Sequence, residues 1–198
     1  MSSAALVLAA GSSRRMGRPK LLLPLAGRPL LEGVVAAACA SSLDTVVVVL
    51  GAAAEEIQAE VDMGRAAVLV NPRHQEGMSS SLKAGLAAIG PYVSRVVVIL
   101  GDQPAVTPQL IDSLLRLQSS SGLPAAALSF GGLLHPPVVM QRELWAELDS
   151  LEGDIGCRAL IRARPELVAA LPADGGHGHP IDIDTPDDYE RLVSAGGS

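Results

Sequence analysis

Short apolar runs rich in Val, Ile and Leu alternate along the chain with segments of helical character. This alternation is typical of βαβ units, in which helices cover both faces of a mostly parallel sheet. We therefore predict an α/β protein with a Rossmann-like three-layer sandwich. The predicted strands are Ala4–Ala10, Thr45–Leu50, Ala67–Val70, Arg95–Leu100, Ala125–Phe130, Val138–Met140 and Ile181–Ile183.

Helices are predicted between these strands, and two of them begin with clear capping signals. Thr107-Pro108 and Thr185-Pro186 each place a hydroxyl before a proline, as an N-cap residue stands before the first helical residue. In open α/β sheets ligands bind beyond the carboxyl ends of strands, so residues that follow a strand are the candidates for function. The predicted helices are Pro29–Ser41, Ala54–Val61, Ser79–Ile89, Pro108–Gln118, Arg142–Leu151, Cys157–Ala163 and Pro186–Ser194.

Composition limits both the core and the partners. The 198 residues suit one domain, 1–198, whose core must be aliphatic because only 2% of residues are aromatic. A net charge of −6 without a basic tail argues against binding to nucleic acid or to an anionic membrane. Cys39 and Cys157 form no ligand-spaced cluster and are predicted to be buried free thiols. With no signal peptide or membrane-length apolar run recognised, we expect a cytoplasmic protein.

The first predicted strand leads directly into a small cationic loop. Gly11 and Gly17 allow the backbone to approach a ligand closely, an arrangement that suits phosphate, although a solvated charged loop has the same composition. The spacing excludes a Walker loop, because Lys20 comes three positions after the second glycine instead of directly after it. It also excludes the dinucleotide-binding fingerprint, which needs a glycine at residue 13, where this chain has serine. The cations of the loop are Arg14, Arg15, Arg18 and Lys20.

Carboxylates follow two other predicted strands. Asp102 stands just after the fourth strand, where it is well placed to hold Mg²⁺ together with substrate phosphates, unless it only caps the following turn. Asp182 and Asp184 lie on one face of the last strand, and a cation shared with Asp102 would relieve their repulsion. The alternative is that Asp184 and Thr185 open the last helix, with Asp188 suited to its cap.

A polar segment from position 71 to 83 connects the third predicted strand to a helix. Gly77 and the serines after Met78 present amides and hydroxyls at a helix start, which can hold an anion or read a nucleobase edge. A plain N-cap at Ser79 or Ser80 explains the same residues equally well. The histidines show no zinc-site spacing and are interpreted as surface or substrate-cleft residues; they are His74, His135, His177 and His179.

Taken in order along nearly the whole chain, these motifs resemble the molybdenum-cofactor nucleotidyltransferases, in particular the cytidylyltransferase branch. The matching motifs are Leu8-Ala9-Ala10-Gly11, Arg15-Met16-Gly17, Lys20-Leu21-Leu22, Asn71-Pro72, residues 76–82, Gly101-Asp102-Gln103-Pro104, Gly153-Asp154 with Gly156 and Arg158, and residues 182–188. The resemblance implies the nucleotide-diphospho-sugar transferase fold and Mg²⁺-dependent transfer of CMP from CTP to the phosphate of molybdopterin, releasing pyrophosphate. Ala10, where guanylyl enzymes of this kind carry glycine, favours CTP over GTP.

The same resemblance implies a role for each candidate residue. Arg15, Lys20 and Asp102 would be catalytic, and Asp102 would hold Mg²⁺ with Asp182 or Asp184. The acceptor would face His135, Asp154 and Arg158, and a transient contact with a molybdoenzyme or its chaperone is a further implication. The nucleotide would contact Ala9, Ala10, Gly11, Ser12, Asn71, Gly77, Ser79, Ser80 and Ser81.

Other functions remain open at this point. The chain could use GTP or another nucleotide with a different small phosphorylated acceptor, or it could bind and deliver the cofactor without catalysis. A nicotinamide-dependent oxidoreductase on the same kind of sheet is a third alternative. The missing fingerprint glycine disfavours that last class.

Overall fold

A seven-stranded sheet forms the centre of the fold, as the alternation of strands and helices predicts. The computed structural model describes residues 2–11, 19–173, 183 and 185–196. The strands are β1 (Ser3–Ala9), β2 (Pro24–Leu25), β3 (Arg28–Pro29), β4 (Thr45–Leu50), β5 (Ala67–Val70), β6 (Arg95–Leu100), β7 (Ala125–Phe130), β8 (Leu133–Gln141) and β9 (Val168–Pro172). The α-helices are α1 (Leu30–Ala40), α2 (Ala54–Glu60), α3 (Met78–Ala88), α4 (Pro108–Ser121), α5 (Trp145–Asp149), α6 (Cys157–Ala163) and α7 (Pro186–Gly196).

The order of strands in the main sheet is β5-β4-β1-β6-β8-β7-β9, and β2 and β3 form a separate two-stranded ribbon. Strands β5, β4, β1 and β6 are parallel, and so are β7 and β9, whereas β8 runs antiparallel to both of its neighbours. The predicted α/β fold with a mostly parallel sheet is therefore confirmed. The last predicted strand, Ile181–Ile183, falls largely outside the described residues.

Strand β8 is longer than the sequence pattern predicts, because it forms a hairpin with β7. The turn consists of Gly131 and Gly132, whose φ angles are +57° and +76°. Two consecutive positive φ angles are what a two-residue hairpin turn of type I′ requires, and glycine adopts them without steric cost. Pairing then extends β8 from the predicted Val138–Met140 to both sides.

Apolar layers cover both faces of the sheet. Along β1 the side chains alternate between them, since Ala5 and Val7 join the layer under α1 and α4, whereas Leu6 and Leu8 join the layer under α3 and α5. All seven residues of β1 are buried. A strand buried on both faces must be apolar throughout, which explains its unbroken run of small and aliphatic residues.

The predicted helix starts are confirmed by their capping bonds. The Thr107 hydroxyl accepts a hydrogen bond from the Leu110 amide at 3.2 Å, while Thr185 and Asp188 cap reciprocally: the Asp188 amide donates to Thr185 Oγ1 at 3.2 Å and the Thr185 amide to Asp188 Oδ2 at 2.9 Å. Helix α4 ends later than predicted, at Ser121, before Gly122 with a φ of +71°.

The prediction of two buried thiols holds for Cys157 and is wrong for Cys39. Cys157 is buried, and loss of hydration raises the pKa of its thiol to about 12. Cys39 is half-buried beside the carbonyl oxygen of Met63. Among the described helices, none is both long and apolar enough to cross a membrane.

Candidate active site

A cavity of about 810 Å³ lies at the carboxyl ends of the parallel strands. Ala10 and Gly11 follow β1, Ala52 follows β4 and Asp102 follows β6, and all four line it together with residues 74–78. This is the edge at which α/β sheets bind their ligands. The volume lies within the range of about 300–1,000 Å³ that is typical of small-molecule sites.

Lys20 and Asp102 meet inside this cavity although they are 82 positions apart in the chain. Lys20 Nζ donates to Asp102 Oδ2 at 2.5 Å and to the carbonyl oxygen of Ile183 at 2.9 Å. The two charged side chains are only 15% and 17% exposed. Because water is largely excluded, their charges act more strongly on a bound ligand than surface charges would.

The lysine is presented by a short, anchored turn. Lys20 begins a 3₁₀ turn, Lys20–Leu22, and the other two residues of that turn, Leu21 and Leu22, are buried in the core. The turn therefore fixes the backbone beneath the lysine, and the side chain points from a packed base toward Asp102.

A glycine directly after β4 allows the end of β1 to lie close to the segments beside it. A Cβ atom at Gly51 would lie 2.6 Å from the carbonyl oxygen of Ala10 and 2.8 Å from His74 Cβ. Only glycine permits three chain segments to converge there. Of the residues predicted to bind the nucleotide at this end, Ala9, Ala10 and Gly11 line the cavity. Ser12, and the predicted catalytic Arg15, lie outside the described residues.

We call residues 73–77 the wall segment, because four of them, 74–77, line the cavity. The polar residues predicted around it divide into two groups. Gly77 and Ser81 line the cavity, whereas Asn71, Ser79 and Ser80 are buried behind the wall. The predicted nucleotide contacts of this region therefore do not all face the same space.

Helix α3 begins differently from the proposed serine cap. Its N-cap residue is Gly77, with a φ of +99°, and no side chain of the cap bonds the helix amides. Instead, the Gly153 carbonyl accepts from the Ser79 amide at 3.1 Å and Asp154 Oδ1 accepts from the Met78 amide at 3.3 Å. The explanation of Ser79 or Ser80 as a plain N-cap is therefore wrong.

Asp154 thus has a structural contact as well as a place in the cavity. A Cβ at Gly77 would overlap the Gly153 carbonyl group and lie 2.7 Å from the Asp154 nitrogen, so the two loops touch through their backbones. Of the predicted acceptor residues, Asp154 is the one found among the described lining residues. His135, on β8, pairs with Leu128 on β7, and Arg158 lies in the first turn of α6.

The donor chemistry of the cavity fits a divalent cation. Mg²⁺ typically takes one or two carboxylates and completes its coordination with substrate phosphates and water, so Asp102 alone can begin such a site. Within the described ranges, no three His, Cys, Asp or Glu side chains cluster as an all-protein metal site would require. Asp182 and Asp184, the other predicted ligands, lie outside those ranges.

Sequence reasoning missed the middle of the wall segment as a lining surface. His74, Gln75 and Glu76 all line the cavity, and only His74 was interpreted as a surface or cleft residue. Their position between the end of β5 and the start of α3 was the available signal, since such connections face the ligand edge of the sheet. Ala52, directly beyond β4, carries the same positional signal.

One family model and two relatives match most of the chain. Residues 5–170 match the MobA-like NTP transferase domain. Nicotine blue oxidoreductase of Paenarthrobacter nicotinovorans is 32% identical over 198 residues, which cover 94% of each chain. Purine catabolism protein PucB of Bacillus subtilis is 31% identical over 196 residues, which cover 95% of this chain and 94% of PucB.

The folds of two solved structures match this chain over almost its whole length. A homologue of Mycobacterium tuberculosis Rv0371c from Mycobacterium sp. strain JC1 is 33% identical, with a TM-score of 0.85 over 98% of this chain and 96% of its own. Rv0371c from Mycobacterium tuberculosis in complex with manganese is 29% identical, with a TM-score of 0.84 over 98% of this chain and all of its own.

Proposed function

Since this chain belongs to the family of MobA-like NTP transferases, we propose that it transfers CMP from CTP to the phosphate group of molybdopterin. Its membership of this nucleotidyltransferase family follows from the match over residues 5–170. One observation carries the proposal: Lys20 and Asp102 are paired in a cavity bounded by the end of β1. Ala10, the residue that favours CTP by resemblance, is part of the same boundary.

In the proposed reaction the protein neutralises charge and forms no covalent bond to the substrates. An oxygen of the acceptor phosphate attacks the α-phosphorus of CTP, and the bond from that phosphorus to the bridging oxygen of the β-phosphate breaks. The electron pair of that bond leaves with pyrophosphate. Such transfers are catalysed chiefly by positioning and by preorganised charge, which a half-buried lysine supplies to the phosphate oxygens.

Asp102 is the proposed ligand of Mg²⁺, with Asp182 or Asp184 completing the protein's share of the site. When bound, the cation neutralises charge on the phosphate groups. The manganese complex of the related Rv0371c supports a divalent metal in this family without deciding between magnesium and manganese. Lys20 holds Asp102 by its Oδ2 atom, and through Ile183 it also ties the site to the approach to α7.

The remaining predicted residues are proposed to contact the nucleotide or the acceptor. Gly11, Gly77 and Ser81 are proposed to contact the nucleotide, with Ser12 and Arg15 on the first loop. Asp154, which lies against Gly77, is proposed to face the acceptor together with His135 and Arg158. A lining with both apolar and polar groups suits a nucleotide and a pterin.

We also propose that the chain acts as one domain in the cytoplasm. One main sheet runs through the described residues, and the family match covers most of the chain. Cys39 and Cys157 are both free thiols, as is usual in a reducing compartment.

The direct test is release of pyrophosphate by the purified protein. Molybdopterin is incubated with each of the four nucleoside triphosphates, in the presence of Mg²⁺ or Mn²⁺. We expect release with CTP to exceed release with GTP, and the dinucleotide product to appear in equal amount. No release of pyrophosphate with any of the four nucleotides and either metal would contradict transferase activity on this acceptor.

Oxidoreduction is a second candidate, favoured by the name of the relative nicotine blue oxidoreductase. The chain lacks the dinucleotide-binding fingerprint, because residue 13 is serine where the pattern needs glycine, and this disfavours oxidoreduction. Oxidation of NADH or NADPH by the protein with a dye acceptor, followed by absorbance, separates the two. Cofactor oxidation without pyrophosphate release would replace the proposed function.

A further inference from the structure

Asn71 lies at the end of β5 and is only 2% exposed. Its side-chain amide nitrogen donates to Ser80 Oγ at 2.9 Å and to Ser81 Oγ at 3.0 Å, both on α3. Its side-chain oxygen accepts from the Arg73 amide at 3.0 Å. Both amide protons and the oxygen are thus used inside the protein, as the cost of an unmade buried hydrogen bond requires.

Ser80 continues the same network across the wall segment. Its hydroxyl lies 2.8 Å from the Arg73 carbonyl oxygen and 2.9 Å from the Gly77 carbonyl oxygen, and its single proton is shared between these two acceptors. Arg73 and Gly77 are the two ends of the wall segment. The Asn71–Ser80 pair therefore holds both ends of that segment against the first turn of α3.

We propose that Asn71 is a positioning residue, which fixes the wall segment and so shapes the nucleotide side of the cavity without touching the ligand. The proposal rests on the proposed function in taking a nucleotide as the ligand, and it revises the contact expected for Asn71 and Ser80 from resemblance. The network would position the side chains of His74, Gln75 and Glu76, which line the cavity.

The first test measures the wall segment itself and needs no ligand. In Asn71→Ala the Arg73 amide loses its acceptor and Ser80 loses a donor, so amides 73–77 should exchange hydrogen faster in the folded protein. Gln118→Ala is the matched control, because Gln118 is also a buried amide, 1% exposed, and donates to the Leu123 carbonyl oxygen at 3.0 Å. This control should leave exchange at 73–77 unchanged even where it lowers the melting temperature equally.

Ser80→Ala provides a second route if Asn71→Ala does not fold. It removes the hydroxyl that reaches both ends of the wall segment while leaving Asn71 in place, and the same faster exchange at 73–77 is expected. Unchanged exchange in the folded variants would overturn the proposal, since the network would then not hold the wall.

The second test separates positioning from direct contact by a double-mutant cycle on the KM for CTP. Each single variant, Asn71→Ala and Ser80→Ala, should raise KM about tenfold, which corresponds to about 1.4 kcal/mol, with kcat nearly unchanged. Because both residues act through one network, the double variant should also stay near tenfold. A product near a hundredfold, or a loss confined to kcat, would contradict positioning through the wall.

The two proposals can fail separately. If the wild-type protein releases no pyrophosphate but exchange at 73–77 rises in Asn71→Ala, the network holds the wall and the proposed function fails. If CTP is turned over and exchange does not change, the proposed function stands and the positioning role fails.

Discussion

The two ends of the sheet carry similar charged groups and hold them in different ways. At the amino end, the Asp44 carboxylate accepts from the amide and hydroxyl of Ser3 at 2.8 and 3.2 Å. Arg65 there donates to the carbonyl oxygens of Cys39, Leu43 and Asp44 at 3.0, 2.6 and 3.2 Å. These charges are engaged by the backbone, so their role is to join the strand starts and the neighbouring loops.

At the carboxyl end, by contrast, the cation and the carboxylate are paired with each other inside a cavity, and the lysine donates in addition to the carbonyl oxygen of Ile183. Lys20 and Asp102 form one charge-assisted bond at 2.5 Å, and both face the cavity. A phosphate group can take the place of Asp102 as the partner of Lys20, or a metal ion the place of Lys20 as the partner of Asp102, without disrupting a strand. The partner of a charged group, more than its type, therefore separates a structural charge from a functional one.

The largest effect is expected from Lys20→Ala and Asp102→Ala. Each removes a preorganised charge from the proposed transfer site, and the expected loss in kcat/KM is about 10²–10³-fold. Lys83→Ala is the matched control, because Lys83 is the other lysine of the chain and lies on α3 away from the cavity lining. Steady-state pyrophosphate release with CTP measures all three variants.

Thermal unfolding of the same variants completes this comparison. Neither Lys20→Ala nor Asp102→Ala should abolish folding, because the turn beneath Lys20 remains packed by Leu21 and Leu22. Wild-type activity in either variant would remove the contrast between the two ends of the sheet.

A smaller effect is expected from alanine at two glycines of positive φ. Gly122, at the amino end, has a φ of +71° with no atom near its missing Cβ, so Gly122→Ala should cost about 1 kcal/mol from backbone strain alone. Gly77, with a φ of +99°, abuts the Gly153 carbonyl, and its substitution must also displace that loop. Denaturant unfolding should therefore show a greater loss for Gly77→Ala, accompanied by a raised KM for CTP.

Equal stability losses at Gly77 and Gly122, with activity retained in both, would contradict this reading of the wall. The comparison is internal, because both variants carry the same strain of an alanine at positive φ. Only the crowding by Gly153 and Asp154 differs between them.

The smallest effect concerns pH and the amino end. Hydrogen bonds from Ser3, first of all from its backbone amide, hold the pKa of the Asp44 carboxyl below its ordinary value of 3.8. A lowered folded-state pKa stabilises the protein above the unfolded value, and this contribution is lost as pH falls through the lower folded value. The Asp44→Asn variant does not titrate there. Its melting temperature should lie below wild type near neutral pH, and the difference should close below about pH 3.8.

Activity should not follow Asp44, because the residue lies at the opposite end of the sheet from the cavity. A gap in melting temperature that stays constant from neutral pH to about pH 2 would show that the carboxylate charge contributes nothing to folding. Scanning calorimetry across that range makes the measurement.

Much of the sheet was predictable because its central strands are continuous buried runs. Strands β4, β5 and β6 occur with the predicted bounds, Thr45–Leu50, Ala67–Val70 and Arg95–Leu100. Strand β9, Val168–Pro172, was not predicted, since it contains two alanines and ends in proline, which are weak strand formers. It forms by pairing with β7, a long-range contact that local sequence does not reveal.

The site was predictable only where position along the chain determines the direction of a side chain. Lys20 and Asp102 follow from the rule that ligands bind at strand ends, and both line the cavity. Asn71 and Ser80 could not be separated from ligand contacts in this way. Their residue types suit a nucleotide and an internal network equally, and only the fold turns them inward.

The decisive experiment on the proposed site is a crystal structure of the protein soaked with CTP and Mn²⁺, with manganese located by its anomalous scattering. The proposed site places the triphosphate in the cavity beside the end of β1, with a phosphate oxygen within hydrogen-bond distance of Lys20 Nζ and manganese on Asp102. A nucleotide bound outside this cavity, or a cavity that stays empty at saturating CTP, would contradict it.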